Sequence, residues 1–363
     1  MEELVLDTGR LDEWREWYDR LDRAGPYHSP EYLDVLAGNL EFDDESAELY
    51  VLADGGEFVY YPYLVRGVGT APFAGASDVD LDLDGYSDVV ASWYYGGPLA
   101  SAGASDALVE AFVDRFGEHC RASGVVAEFV RFDPNLGNHA DFEALDPTFN
   151  RETVPVDLTG SREDVHDGFE KRNRNALRQA RDSPLRVEPT TDRADWDAFY
   201  DIYTNAMDAK GATEHYRFPF EFFVELLESP LATLLVARYG EDGDGDGDGA
   251  VVGGSMLVHD EHTAHDYLRA SNPDYWDLRV NNLICYEALM HMYETGRSLF
   301  DFQGGRPGVF KFKKSFSPER AEMYLARRVH MPEVYDELVE AAEATGIDTD
   351  TGYFPAYRVD RSN

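Results

Sequence analysis

Glu48-Leu49-Tyr50-Val51-Leu52-Ala53, an acidic glycine turn, and Phe58-Val59-Tyr60-Tyr61-Pro62-Tyr63-Leu64-Val65 read as the two strands of a hairpin. Apolar and aromatic residues dominate both runs, and glycine with aspartate separates them. The same unit recurs as Ala232-Thr233-Leu234-Leu235-Val236-Ala237, an acidic glycine turn, and Ala250-Val251-Val252-Gly253-Gly254-Ser255-Met256-Leu257-Val258. Working outward, an aromatic-rich helix pattern precedes each hairpin: His28-Ser29-Pro30-Glu31-Tyr32-Leu33 in one case, Arg217-Phe218-Pro219-Phe220-Glu221-Phe222 in the other. The segments downstream of each hairpin also match. Tyr94-Tyr95-Gly96-Gly97-Pro98, a helix around 105–122 and strand Ala127–Phe132 correspond to Tyr267-Leu268-Arg269-Ala270-Ser271, a helix around 281–295 and Leu299-Phe300-Asp301-Phe302. Gly124 and Gly296 stand where each helix would end, the position that favours a left-handed residue.

The expected fold class is therefore mixed α/β, with two tandem domains, each a mixed, mostly antiparallel sheet flanked by helices. The joint is expected near 150–165, ahead of a helix entered at Ser161-Arg162-Glu163-Asp164, a capping pattern. That gives a first domain over 1–155, a second with the site over 156–330, and a C-terminal helix and tail over 331–363. The tail from Thr349 reads as loosely held, with Tyr353, Phe354 and Tyr357 available to dock. Asp242–Gly249 alternates Asp and Gly, but the twelfth position of a calcium loop needs Glu and falls on Gly253 or Ser255, so a solvated turn is expected.

The chain of 363 residues holds 71 Asp+Glu against 32 Lys+Arg, a formal charge of −39, with 43% hydrophobic residues. This composition is globular and fits a cytoplasm of molar salt. A nonspecific nucleic-acid coat is excluded, because the global field repels phosphate. At such salt the Debye length is about 3 Å, so only direct contacts recruit an anion. The N-terminus has no basic region followed by an apolar run, and no segment approaches a membrane span, so a cytoplasmic, soluble protein is expected. Cys120 and Cys285 sit in helix patterns and read as small buried residues.

Against that background lysine is scarce and clustered: Lys171, Lys210, Lys311, Lys313 and Lys314 are all there are. On a helix, Lys171, Arg174, Arg178 and Arg181 fall within about 80° of arc, opposite Phe169, Ala176, Leu177 and Ala180. This basic stripe, with Arg172 beside it, is expected either to hold phosphates of a donor or to be a solvated face neutralised by nearby acids. In Gly308-Val309-Phe310-Lys311-Phe312-Lys313-Lys314-Ser315-Phe316 the alternation has a strand period, with Lys311 and Lys313 on one side. Upstream, Asp301 and Gln303 share a side of their strand, and Gly304-Gly305-Arg306 comes next. An acceptor for an attacking amine and a cation for a tetrahedral oxyanion are what acyl transfer needs. His259, His262 and His265 straddle a turn at a spacing that does not gather metal ligands on one strand face, so no metal is expected. No Ser or Cys nucleophile motif occurs, which favours direct transfer over a covalent intermediate.

The doubled order, the Arg-rich helix Lys171–Ala180, the Tyr95-Gly96-Gly97-Pro98 segment and the closing Phe300-Asp301-Phe302 with Phe312-Lys313-Lys314-Ser315-Phe316 resemble the Fem-type members of the GNAT acyltransferase superfamily. The resemblance covers most of 1–330. It implies two GNAT-like domains and transfer of an acyl or aminoacyl group to an amine, from aminoacyl-tRNA or acyl-CoA, with no tightly bound cofactor. It carries the family's catalytic lysine to Lys313. Asp301-Phe302-Gln303 is similar to the Asp-x-Gln pair of leucyl/phenylalanyl-tRNA–protein transferases, which implies handling of the acceptor amine. The usual GNAT pyrophosphate loop is missing; Asp277-Leu278-Arg279-Val280-Asn281-Asn282 stands there, and an Asn cap with free helix amides is the expected substitute. The composition suggests a halophilic archaeon, whose cells lack murein, so the family's usual acceptor is not expected.

The expected catalytic set is Lys313, Asp301 and Gln303. The expected substrate-binding set is Lys171, Arg172, Arg174, Arg178, Tyr267, Arg269, Asn282, Arg306 and Lys311. The competing reading is a non-catalytic GNAT-fold module that binds tRNA or a nucleotide-linked sugar.

Overall fold

The computed structural model describes residues 1–39, 45–76, 81–210, 217–240 and 249–359. The alternating segment Asp242–Asp248 lies outside them. The chain divides into two units, Met1–Arg151 with Glu322–Asn363, and Glu152–Ala321.

In the first unit the strands lie in the order Glu2–Asp7, Glu45–Asp54, Glu57–Gly67, Ser87–Val90, Val125–Arg131, Ala321–Val329 and Thr148–Thr153. In the second the order is Pro155–Asp157, Leu299–Asp301, Thr263–Ser271, Ala250–His259, Ala232–Tyr239 and Leu185–Thr190. Both sheets are mixed and mostly antiparallel, as the repeated pattern implies. In each, one parallel pairing follows a crossover helix: Ser87–Val90 with Val125–Arg131 across helix Asp106–Ala122, and Thr263–Ser271 with Leu299–Asp301 across helix Val280–Glu294. Gly124 and Gly296 come just after these helices at φ +74° and +89°.

One correspondence shifts. Ser87–Val90, not Tyr94–Pro98, holds the place of Thr263–Ser271; Gly96 makes only an isolated bridge to Phe132. Gly97, at φ +82°, leaves 3.0 Å between a would-be Cβ and Val130, so this bend needs glycine.

The domain limits also differ from expectation. Residues 322–330 belong to the first unit, because strand Ala321–Val329 pairs antiparallel with Val125–Arg131. Helix Pro332–Ala344 and the tail are part of the same unit rather than a separate appendage. The tail is anchored: Tyr357 is fully buried, and Arg358 donates to Asp88 and, at 2.6 Å, to the Gly67 carbonyl. Asp88 also accepts from Arg66 Nε at 2.8 Å. Burial opposes its charge, but Arg358 and Arg66 outweigh burial and hold its carboxyl below the usual range.

Helix Val280–Glu294 is largely enclosed, with Leu283, Ile284, Cys285, Tyr286, Ala288, Leu289, Met290 and Met292 buried. Glu287, His291 and Glu294, at i, i+4 and i+7, form its narrow polar edge. This helix is the rigid post against which the site is built.

Asp88→Ala leaves two buried guanidinium groups without their carboxylate. It is expected to lower the unfolding free energy by about 3–5 kcal/mol, measured by urea denaturation in molar KCl and reported by release of the C-terminal tail to protease.

Candidate active site

The basic helix forms as Lys171–Arg181, and a separate short helix before it, Arg162–Asp167, carries the expected capping box, Ser161 with Asp164. Its buried positions are Asn173, Leu177 and Ala180. The segment expected as a strand, 308–316, is instead an α-helix over Pro307–Lys313 and then a 3-10 turn over Lys314–Phe316. Pro307 at the first helical position favours this, and phenylalanines at 310 and 312 mimic a strand period while both rest partly buried against the second unit's core.

Turning this segment into a helix sends its lysines three ways. Lys311 is exposed and lines a pocket. Lys313 is 7% exposed and donates from Nζ to the Gly304 carbonyl at 2.9 Å. Lys314 lies over the Phe310 ring at 5.0 Å.

The pocket has a volume of about 450 Å³ and is lined by Arg172, Asn173, Asn175, Ala176, Gln179, Arg279, Asn282, Gly308, Lys311, Phe312 and Ser315. Three cations and four side-chain amides face it. Among the described residues no carboxylate does, in a chain with 71 acidic residues. The acid paired with a pocket cation is Glu170, whose Oε2 holds Arg172 Nε at 2.6 Å. Arg172 also donates to the Lys311 carbonyl at 2.9 Å, so the two basic segments do converge.

They converge on a different face from the expected one. Arg172, Asn175, Ala176 and Gln179 centre roughly 130° round the helix from the stripe of Lys171, Arg174, Arg178 and Arg181. Lys171 and Arg178 are exposed outside the pocket. Arg174 is turned back on the carbonyls of Asp167, at 3.4 Å, and Phe169. Arg181 covers Tyr286 at 4.3 Å and approaches Glu287. The stripe thus lies outside the pocket, while Arg172 beside it lines the pocket.

An amide relay fixes the pocket walls. Asn282 Nδ2 donates to Asn173 Oδ1 at 2.8 Å, and Asn173 Nδ2 donates to the Ser315 carbonyl at 3.2 Å. The Glu170 amide donates to the same carbonyl at 2.9 Å. On the far wall Arg279 Nε donates to Gln179 Oε1 at 3.2 Å, and Gln179 Nε2 to the Asp277 carbonyl at 2.9 Å. Asn282 is not the helix cap. Arg279 holds that place in a left-handed conformation, φ +64°. Arg279 and Gln303, at φ +63°, are two of three non-glycine residues with positive φ among those described. Such strain gathers at functional sites.

Behind the pocket the parallel strands part. Their pairing ends at His265↔Asp301, after which Thr263–Ser271 continues and the other chain turns away at Gln303. Asp301 is fully buried, and its Oδ1 accepts the Gln303 amide at 2.7 Å, which shapes the turn. Asp301 and Gln303 therefore do not open onto the pocket, contrary to expectation.

A β-bulge at Tyr267 brings Asp266 and Arg269 to one side, where a regular strand would separate them. Arg269 approaches Asp266 at 3.3 Å, contacts Cys285 Sγ and lies 5.2 Å over Phe312. Ser255 Oγ donates to the other Asp266 oxygen at 2.8 Å. Lys313 joins this buried group. Burial lowers its pKa; Asp266 and Asp301 oppose that, and Arg269 adds to it. Burial pushes the Cys285 thiol up to about 12, so it is no thiolate nucleophile.

Two further expectations change. Tyr267 is 3% exposed and packs with Phe218 and Phe222, in the core rather than the pocket. Arg306 is exposed at the start of helix Pro307–Lys313 and does not line the pocket. The histidines disperse. His259 donates from Nε2 to Thr233 Oγ1 at 2.9 Å and accepts from Arg297 at Nδ1, 3.1 Å away; His262 is exposed; His265 is buried with Nδ1 3.7 Å from Asp301. Among the described residues no three His, Cys, Asp or Glu gather to hold a metal.

Residues 168–314 match the family model of the acetyltransferase (GNAT) domain. The second unit is thus an acyltransferase domain. The crystal structure of FemX superposes with a TM-score of 0.67 at 14% identity, covering 93% of this chain and 99% of that one. The chain has the Fem-like double-GNAT fold. The C-terminal domain of a putative lysylphosphatidylglycerol synthetase from Agrobacterium fabrum superposes at 0.52 with 15% identity, covering 90% of this chain and 96% of that one. A tandem GNAT protein from the clavulanic acid biosynthesis pathway superposes at 0.51 with 13% identity, covering 90% and 98%. No curated protein matches the sequence. No helix among the described residues is long and apolar enough to cross a membrane.

Asn173→Ala removes the middle of the amide relay and strands the Asn282 amide. We expect about 1–3 kcal/mol lost from the second unit, seen as a lower urea midpoint, with Asn173→Ala and Asn282→Ala far from additive because they share one bond.

Proposed function

We propose that the second unit transfers an acyl or aminoacyl group from a phosphate-bearing donor to an amine by direct attack. The observation that carries this reading is the pocket lining: three cations and four amides, with no carboxylate among the described residues, in a chain of charge −39. Glu170 holds Arg172, but among the described residues no carboxylate pairs with Arg279 or Lys311, which leaves both charges for an anion. At molar salt only direct contacts of this kind recruit one.

Arg172, Arg279 and Lys311 hold the donor's phosphates, with the amides of Asn175 and Gln179 as further donors. Acyl-CoA and aminoacyl-tRNA both carry phosphates, set apart from the activated acyl group by the pantetheine arm in one and by the terminal ribose in the other, and both remain candidates as donor. Lys313, in the gap where the strands part, is the cation for the developing oxyanion, and Arg269 with Asp266 fixes its surroundings. Asp301 acts as a positioning residue: it shapes the turn of Gln303–Gly305, whose carbonyl at Gly304 holds Lys313 Nζ. The protonated Cys285 supports transfer without a covalent enzyme intermediate. The acceptor is a small-molecule or peptide amine.

Burial of Asp301 favours one second reading, a module that binds the anion without turnover. Measured transfer separates the two.

Arg279→Ala and Lys311→Ala each remove one charged hydrogen bond, so each is expected to weaken donor binding by about 1.5–3 kcal/mol. Calorimetry with CoA and with aminoacyl-tRNA in molar KCl reads this, and unchanged affinity for both donors in both variants contradicts the pocket assignment. Lys313→Met is expected to lower transfer by about 10²–10³-fold while leaving donor affinity intact. Because the Lys313 pKa is depressed, its cation is complete below that lowered pKa and lost as pH rises through it. The alkaline limb of the wild-type rate therefore falls earlier than for a surface lysine, and a wild-type rate in folded Lys313→Met rejects the role.

A further inference from the structure

Trp276 is 52% exposed, on the 3-10 turn Pro273–Leu278 that leads into helix Val280–Glu294. Large aromatic side chains are usually buried for the area they remove from water, as Trp14 at 0% and Trp196 at 8% are here. The indole is not loose. Its Nε1 donates to Ser271 Oγ at 2.9 Å, and Ser271 is itself 7% exposed. The backbone is equally held: the Trp276 carbonyl accepts the Arg279 amide at 2.9 Å, and the next carbonyl, of Asp277, accepts from Gln179 at 2.9 Å. Gln179 and Arg279 both line the cationic pocket. A fixed indole with an open face therefore stands three residues before Arg279 of the pocket lining, beside the carbonyl that Gln179 of that lining holds. Its neighbour Tyr275 turns inward against Tyr239, 5.0 Å away, whereas no ring or cation covers Trp276 among the described residues.

Phosphate contacts alone do not choose among anions; a flat apolar surface beside them does. We infer that Trp276 is a stacking platform for the base of an adenine nucleotide whose phosphates occupy the Arg172–Arg279–Lys311 pocket. This rests on the donor reading above and adds to it the residue that holds the donor's base. Base-on-indole stacking typically changes affinity by about tenfold or more, and π-stacking depends little on salt, which suits molar KCl.

The test compares inorganic pyrophosphate with adenosine 3′,5′-bisphosphate by calorimetry in molar KCl, for wild type, Trp276→Ala and Trp276→Phe. In wild type the bisphosphate is expected to bind roughly tenfold more tightly than pyrophosphate, with quenching of tryptophan emission that Trp276→Phe abolishes. Trp276→Ala should erase the advantage and leave pyrophosphate affinity unchanged; Trp276→Phe should keep most of it. Equal binding of the two probes by wild type, or an advantage that survives Trp276→Ala, overturns the inference while sparing the phosphate pocket. Failure of both probes to bind overturns the donor reading and this inference with it. Two further arms, CoA and an RNA minihelix ending in CCA, identify the source, since only the true donor loses affinity in Trp276→Ala; loss in neither overturns the platform. A change of oligomeric state in Trp276→Ala with the base preference intact assigns the ring to a contact between copies and overturns it too.

Discussion

One hydrogen-bond relay holds the candidate site together. Asn282, Asn173 and the Ser315 carbonyl join the first turn of the apolar post helix, the buried side of the basic helix and the end of the lysine-bearing helix. Each member is short, polar and placed where it has little else to bond. Because buried amides are costly when unpaired, the relay sets the distance between the walls, and Arg172 and Lys311 inherit their positions from it. Charge alone does not produce this geometry. The cations are exposed and individually weak, and their effect depends on an uncharged frame.

The electrostatics derive from the same arrangement. An acidic surface in strong salt offers an anion no long-range attraction, so discrimination falls to groups that touch it. Among the described residues carboxylates are kept off the lining, and Glu170 clamps Arg172 instead of competing within the pocket. On the other side of helix Pro307–Lys313 the logic reverses. Lys313 and Arg269 are buried with Asp266 and Asp301, so charge there is compensated within the protein. One short helix thus divides the proposed binding face from the proposed reaction face, and Phe312 lies at the boundary, lining the pocket while stacked under Arg269.

Much of the architecture was legible in the order of hydrophobic runs, because a doubled hairpin–crossover pattern leaves few alternatives. The convergence of the two basic segments was legible too, through the scarcity of lysine. The details were not. Phe310 and Phe312 imitate a strand within a helix whose start is marked only by Pro307. Assigning the guanidinium row by charge chose the solvated face; the buried Asn173 in the first turn of the helix was the better guide. Asp266 and Arg269, three apart, look unrelated until the bulge at Tyr267 aligns them. Strand Ala321–Val329 returns to the first unit through long-range pairing, which no local pattern announces.

The functional reading stands or falls on donor phosphate lying among Arg172, Arg279 and Lys311. A crystal structure with CoA, or with a non-hydrolysable aminoacyl-RNA, grown in molar KCl would show it. Phosphate density is expected within hydrogen-bonding distance of those three side chains, with the Asn282–Asn173–Ser315 relay unchanged. Phosphate density on the Lys171–Arg174–Arg178 face, or elsewhere with the pocket empty, rules the reading out.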